Sequence, residues 1–184
     1  MKLSLKKILL LGIFSEAVLF LICHLTQPSL EETFRHAARY SGRLSAFVFL
    51  ISFYLFAFAQ PKRILENISL RNWLSLFMLV HIIHFGFLVT NIVLNDIAIV
   101  LIKLVGGALA YLMIIIAPLV LHKLKLGLQL VYFYYVNLVM IITYLARAKG
   151  DFEGAEPFWF HYLMFVVLIL AGVSFGLRIW KAYK

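Results

Sequence analysis

Apolar residues run along this chain in six long stretches, at 8–26, 42–60, 72–94, 97–121, 126–146 and 157–179, and polar residues gather in the short segments between them. Each stretch is near the roughly 20 residues that a helix needs to span about 30 Å of hydrocarbon. In that medium backbone N–H and C=O groups find no water, so each segment must satisfy them internally, and a helix does so. No alternating pattern of barrel strands is visible. The pattern predicts an all-α integral membrane protein, a six-transmembrane-helix bundle that forms one domain over residues 1–184 without an internal repeat.

The first stretch follows Lys2, Lys6 and Lys7, as in a signal peptide, but it is long and lacks a small-residue cleavage site before a polar mature chain. It reads as a retained first span. Between the first two spans, Ser29-Leu30-Glu31-Glu32 carries the signature of a helix start, with Ser29 as cap and Glu32 three residues on, and residues 27–41 read as a short interfacial helix. Asn95-Asp96 is a turn or cap signal between the third and fourth spans, and Pro157 pre-sets the first turn of the sixth.

Composition sharpens the picture: 64% of the residues are apolar, only 14% are charged, and the mean hydropathy is +1.00. Soluble domains use about 45–50% apolar residues. The net charge of +9 does not mark a nucleic-acid surface, because the basic residues stand at span ends rather than on a water-facing patch. They orient the chain instead, since Lys and Arg are retained on the cytoplasmic side. Of the 17 Lys and Arg residues, eleven flank one side (Lys2, Lys6, Lys7, Lys62, Arg63, Arg71, Lys123, Lys125, Arg178, Lys181 and Lys184). Five flank the other (Arg35, Arg39, Arg43, Arg147 and Lys149), mixed with Glu31, Glu32, Asp151, Glu153 and Glu156, and Lys103 lies inside the fourth span. The expected topology is N-in and C-in, in a membrane of the bacterial inner (cytoplasmic) type. Cys23, the single cysteine, excludes an intrachain disulfide and offers no zinc or iron–sulfur spacing.

Charged and polar side chains inside spans are costly, roughly 2.5–3.5 kcal/mol for a charge at the centre on insertion scales, so each is a functional candidate. They are Glu16, His81, His84, Lys103 and Asn137, with His24 and His161 near span ends. His81 and His84 share one face of the third span, about 4.5 Å apart along the axis at 1.5 Å per residue. Such a pair suits axial haem ligation, metal binding or proton relay, and it equally suits hydrogen bonds that pin neighbouring helices. Glu16 and Lys103 have the charges to neutralise each other across a helix contact, or Lys103 snorkels to an interface. Asn137 reads as interhelical glue, and Gly106-Gly107 as a site of close helix approach. Tyr132-Phe133-Tyr134-Tyr135 and Phe158-Trp159-Phe160-His161-Tyr162 read first as packing and interfacial aromatics. Pro118 alone does not supply the paired helix breaks of a transporter.

Two short stretches carry a resemblance. Arg39-Tyr40-Ser41-Gly42-Arg43-Leu44-Ser45 opens the second span, and Arg71-Asn72-Trp73-Leu74-Ser75-Leu76 leads into the span with His81 and His84. Together they resemble the ferric-reductase-like transmembrane domain, over roughly residues 35–146. The resemblance implies a six-helix bundle that binds haem b through histidines of its third and fifth helices and passes electrons across the membrane. It makes His84 or His81 the third-helix ligand. The fifth span departs from the pattern: it has no histidine, and Gln129 stands near the position where one is expected, with His122 before the span and His161 after it. Either a ligand comes from elsewhere, with His161 joining His81 and His84 as a candidate, or haem is lost. The 184 residues contain no flavin or nicotinamide domain, so the resemblance implies a separate redox partner protein. The rival expectation is a non-enzymatic membrane subunit or assembly factor with structural histidines.

The charge asymmetry makes a direct prediction. Reporters fused after Thr26 and after Gly150 will read outside, and those after Gln60, after Leu124 and at the C-terminus inside; a reversed C-terminal reporter would change the number of spans.

Overall fold

The computed structural model describes residues 4–58, 68–99, 101–151 and 157–182, without the side chains of residues 58, 68, 69, 101–103 and 182. Lys2, Lys62, Arg63, Glu153, Glu156, Lys184 and the Lys103 side chain therefore lie outside the described residues. Six long helices follow one another: α1 (Leu5–Thr26), α2 (Leu30–Phe58), α3 (Ile68–Leu94), α4 (Leu101–Val120), α5 (Leu126–Lys149) and α6 (Trp159–Ala182). Each contains a segment long and apolar enough to cross a membrane, and no strand occurs among the described residues. The protein is an all-α integral membrane protein. Large apolar side chains stand outward, Phe14 at 66% and Val93 at 72% exposure. That distribution is stable where hydrocarbon surrounds the helices.

The helix ends follow local chemistry. Pro28 cannot continue α1, which closes with the Gln27 N–H donating to the Cys23 carbonyl at 3.0 Å. Ser29 caps the next helix as its sequence suggests, its Oγ accepting from the Glu32 N–H at 3.3 Å. Beyond that cap the structure departs from the expected short interfacial helix over 27–41. No proline interrupts the run, so the polar turns continue directly into the apolar ones as one 29-residue helix. At 1.5 Å per residue α2 is about 43 Å long, more than the roughly 30 Å of a hydrocarbon core. Its surplus is the charged beginning around Glu31, Glu32 and Arg35.

Asn95 and Asp96 end α3 in a turn, Asp96 taking the left-handed conformation (φ 49°) that short polar side chains tolerate. Gly150 takes the left-handed position after α5 (φ 77°), its N–H donating to the Arg147 carbonyl at 3.2 Å and the Asp151 N–H to the Ala146 carbonyl at 2.9 Å. Pro157 stands two residues ahead of α6 rather than in its first turn.

The chain divides into two compact units, Met1–Ser52 with Ile68–Ile99 and Phe53–Asn67 with Val100–Lys184. In the first, α1 packs along α3, and the early turns of α2 cross-connect them. In the second, α5 packs on α6 and α4 on α5, with the last turns of α2 contributing Phe53 and Phe56. Those rings meet Phe133 and Phe175 at centroid distances of 4.4 Å for Phe56–Phe133 and Phe53–Phe175. Glycines on α6 let α5 come close: a Cβ on Gly172 would meet Asn137 Nδ2 at 2.9 Å, and one on Gly176 would meet the Tyr134 hydroxyl at 2.9 Å. Asn137 Nδ2 donates to the Leu168 carbonyl at 3.2 Å and the Tyr134 hydroxyl to the Gly172 carbonyl at 3.1 Å.

The α5–α6 contact thus depends on space as much as on hydrogen bonding. Gly172→Ala will cost roughly 1–3 kcal/mol through overpacking, whereas Asn137→Ala will cost only about the 0.6 kcal/mol average of a membrane hydrogen bond. Because Asn137→Ala vacates the space the new methyl needs, the double variant will melt in detergent above the additive expectation.

Candidate functional site

The second span is apolar, yet Ser41 and Ser45 recur on α2 one helical turn apart and point inward, at 0% and 1% exposure. The Ser41 hydroxyl donates to Glu16 Oε1 of α1 at 2.8 Å. Ser45 Oγ and His81 Nδ1 of α3 share a hydrogen bond of 2.6 Å. Between the two serines, Gly42 forms the seat of the His84 ring: a Cβ there would lie 3.0 Å from His84 Cε1 and 3.4 Å from Nε2. The His81 and His84 rings are 5.7 Å apart between centroids.

The register explains why these groups share one level. Along α2 and α3 the contacts Phe49–Phe77, Ser45–His81 and Gly42–His84 fall in an antiparallel sequence, one number dropping by seven as the other rises by seven. Along α1 and α3 the contacts run in parallel, from Gly12 beside Leu76 to Phe20 stacked on Phe87 at 5.5 Å. Glu16 lies midway between those contacts, at the level of the histidines. The result is a polar layer of Glu16, Ser41, Ser45, His81 and His84 across three helices, with aromatic packing on both sides. Phe20, Phe34 and Phe87 close the side toward the end of α1, and Phe49 and Phe77 close the other. Beyond the first aromatic group a second polar cluster joins the helix ends. There Arg35 bridges Glu32 and the Asn95 side-chain oxygen, and Asn95 Nδ2 donates to the Glu31 carbonyl at 3.2 Å.

The sequence candidates are distributed unequally over this arrangement. His81, His84 and Glu16 come together in the first unit. His161 is in the second unit, buried beside Tyr144 and Phe158 at 6.3 and 6.5 Å between ring centroids. His24 lies exposed on α1, stacked on Phe20 at 6.2 Å. Gln129, near the position where the resemblance expects a fifth-helix histidine, uses its amide for local structure. Its Nε2 donates to the carbonyls of Leu121 and Leu124, at 3.0 and 2.8 Å, and so ties down the turn between α4 and α5. Glu16 takes its hydrogen bond from Ser41, with no salt bridge to it among the described residues. Sequence reading named the histidines and Glu16 but assigned no role to Ser41, Gly42 or Ser45. The available signal was the recurrence of small and hydroxyl residues at 41, 42 and 45 in an apolar span.

A haem b needs an axial imidazole whose other ring nitrogen is held in place. His81 meets that condition, because Ser45 holds its Nδ1. The pair does not form a bis-histidine site by itself, since two imidazoles one turn apart on one helix do not reach opposite faces of one macrocycle. Of the two, only His81 meets the condition for a single axial ligand, with His84 set against Gly42 beside it. No cluster of three or more His, Cys, Asp or Glu suited to a metal ion occurs among the described residues. No family model matches the chain, and no curated protein or solved structure is significantly similar to it.

The Gly42 seat is testable against a neighbouring glycine. Gly42→Val will lower the detergent unfolding midpoint by the equivalent of roughly 1–3 kcal/mol, as overpacking does. Gly86→Val on α3, where a Cβ meets nothing within 4 Å, will leave it almost unchanged.

Proposed function

We propose that this integral membrane protein is a small electron-transfer subunit of the ferric-reductase-like kind, residing in a cytoplasmic membrane of bacterial type with both termini inside. In this reading it binds haem b through His81 and exchanges electrons with a separate redox partner protein. The observation that carries the reading is the 2.6 Å contact between Ser45 Oγ and His81 Nδ1 within a layer screened by phenylalanines. The contact fixes the ring orientation, and with Nδ1–H donating to Ser45 Oγ, Nε2 is the nitrogen that would ligate, as for an imidazole held by an outer partner. Haem would supply a one-electron carrier there; the chain supplies the ligand, its orientation and an apolar surround that sets the potential. His84 then acts as a positioning residue, holding α3 against Gly42.

A second reading has its own support. The close seat of His84 on Gly42 is also what a structural histidine requires, and it suits a non-enzymatic membrane subunit or assembly factor.

Absorption spectra of the purified protein from haem-supplemented cells separate the two. The electron-transfer reading expects a Soret band, with α and β bands that sharpen on dithionite reduction. His81→Gln will abolish or shift the Soret band while the protein stays monodisperse, because Gln keeps hydrogen-bonding capacity but lacks the imidazole nitrogen. A colourless, iron-free wild type would leave the structural reading standing.

A further inference from the structure

Glu16 has no part in that reading, and its surroundings are unusual for a carboxyl group. It lies in the middle of α1 at 2% exposure. Its Oε1 accepts the Ser41 hydroxyl at 2.8 Å, while Oε2 is buried with no hydrogen-bond partner among the described residues. A purely structural carboxyl at this depth would have both oxygens occupied or a cation beside it, because an uncompensated buried charge is among the costliest groups to hold. The titratable and charged groups of the packed elements do not supply that cation. On α2 the nearest in sequence to Ser41 are Arg39 and Arg43, and Arg43 lies over the Tyr40 ring at 5.1 Å. On α3 they are His81, joined to Ser45, and His84, seated on Gly42. On α1 itself, Cys23 is about two turns away in one direction and Lys7 about two and a half in the other. None is bonded to Glu16.

We infer that Glu16 is a proton-binding site inside the membrane. On uptake, a hydronium ion gives its proton to Oε2, forming the O–H bond and leaving water, while Ser41 keeps donating to Oε1. On release the proton returns to water, and the Ser41 hydroxyl remains to stabilise the carboxylate. A single neutral donor on one oxygen and an unfilled position on the other is an arrangement that accommodates both forms without moving a helix. Phe20 and Gly12, one turn to either side on α1, pack against α2 and α3 and keep the carboxyl from open contact with water. Proton exchange at this site is therefore gated by local opening rather than by bulk access. The inference does not depend on haem.

Infrared difference spectroscopy on the full-length protein in lipid membranes tests it. Wild type is expected to show a protonated-carboxyl C=O band that moves to lower frequency in D2O, disappears on alkaline titration and is absent from Glu16→Gln. In Ser41→Ala the same band will move to higher frequency, because its oxygen loses a hydrogen bond, and this second variant keeps the assignment open to test if Glu16→Gln misfolds. Three results would overturn the inference: no protonated-carboxyl band at any pH, a band indifferent to both D2O and pH, or a titrating band that neither variant affects.

Discussion

Hydrocarbon leaves the backbone no partner but itself, and the rest of this structure is a consequence of that constraint. Apart from the turn of α4 that holds Pro118, helical hydrogen bonding satisfies the peptide groups inside the spans, so the outward faces are free to be apolar and the inward faces need only fit. With lipid as apolar as leucine, apolar side chains alone do not decide which helices meet. The deciding contacts are steric vacancies and the few polar groups. Gly172 and Gly176 admit Asn137 and Tyr134 in the second unit, while Gly42, Ser41 and Ser45 admit His84, Glu16 and His81 in the first.

The polar layer of the first unit derives its character from the phenylalanines on either side. Aromatic packing excludes water and lowers the local dielectric, which strengthens the Ser41–Glu16 and Ser45–His81 hydrogen bonds and raises the cost of any charge left without a partner. The same surroundings suit a redox centre or a proton site, and they make both sensitive to small displacements. The second polar cluster at the helix ends, around Arg35, Glu32 and Asn95, is of another kind: it is partly exposed, and it joins α2 to the turn after α3.

What the sequence disclosed follows from the range of each interaction. Hydropathy over some twenty residues is a property of the segment alone, so the six helices were legible, as were the Ser29 cap, a three-residue signal, and the turn at Asn95-Asp96. The continuity of α2 was not, because a polar segment beside an apolar one reads as a boundary unless the absence of a breaker is weighed as well. The intramembrane polar residues were visible one by one, as costs. Their pairing was hidden, since it depends on register between helices: nothing in the sequence singles out the hydroxyl of Ser41 as the group that meets Glu16. Close packing falls at the spacing Gly172-x-x-x-Gly176 and not at the adjacent pair Gly106-Gly107, where a Cβ on Gly107 would meet nothing within 4 Å.

Gly42 and His84 show how such a fit behaves over evolutionary time. An imidazole resting on a bare α-carbon leaves little room for independent drift: a Cβ at 42 would stand 3.0 Å from the ring of His84, so a larger residue there requires that ring to give way or a smaller side chain at 84. Two positions forty-two residues apart thus behave as one heritable unit. Among relatives of this chain they should be exchanged together, a signature readable from sequences without any further structure.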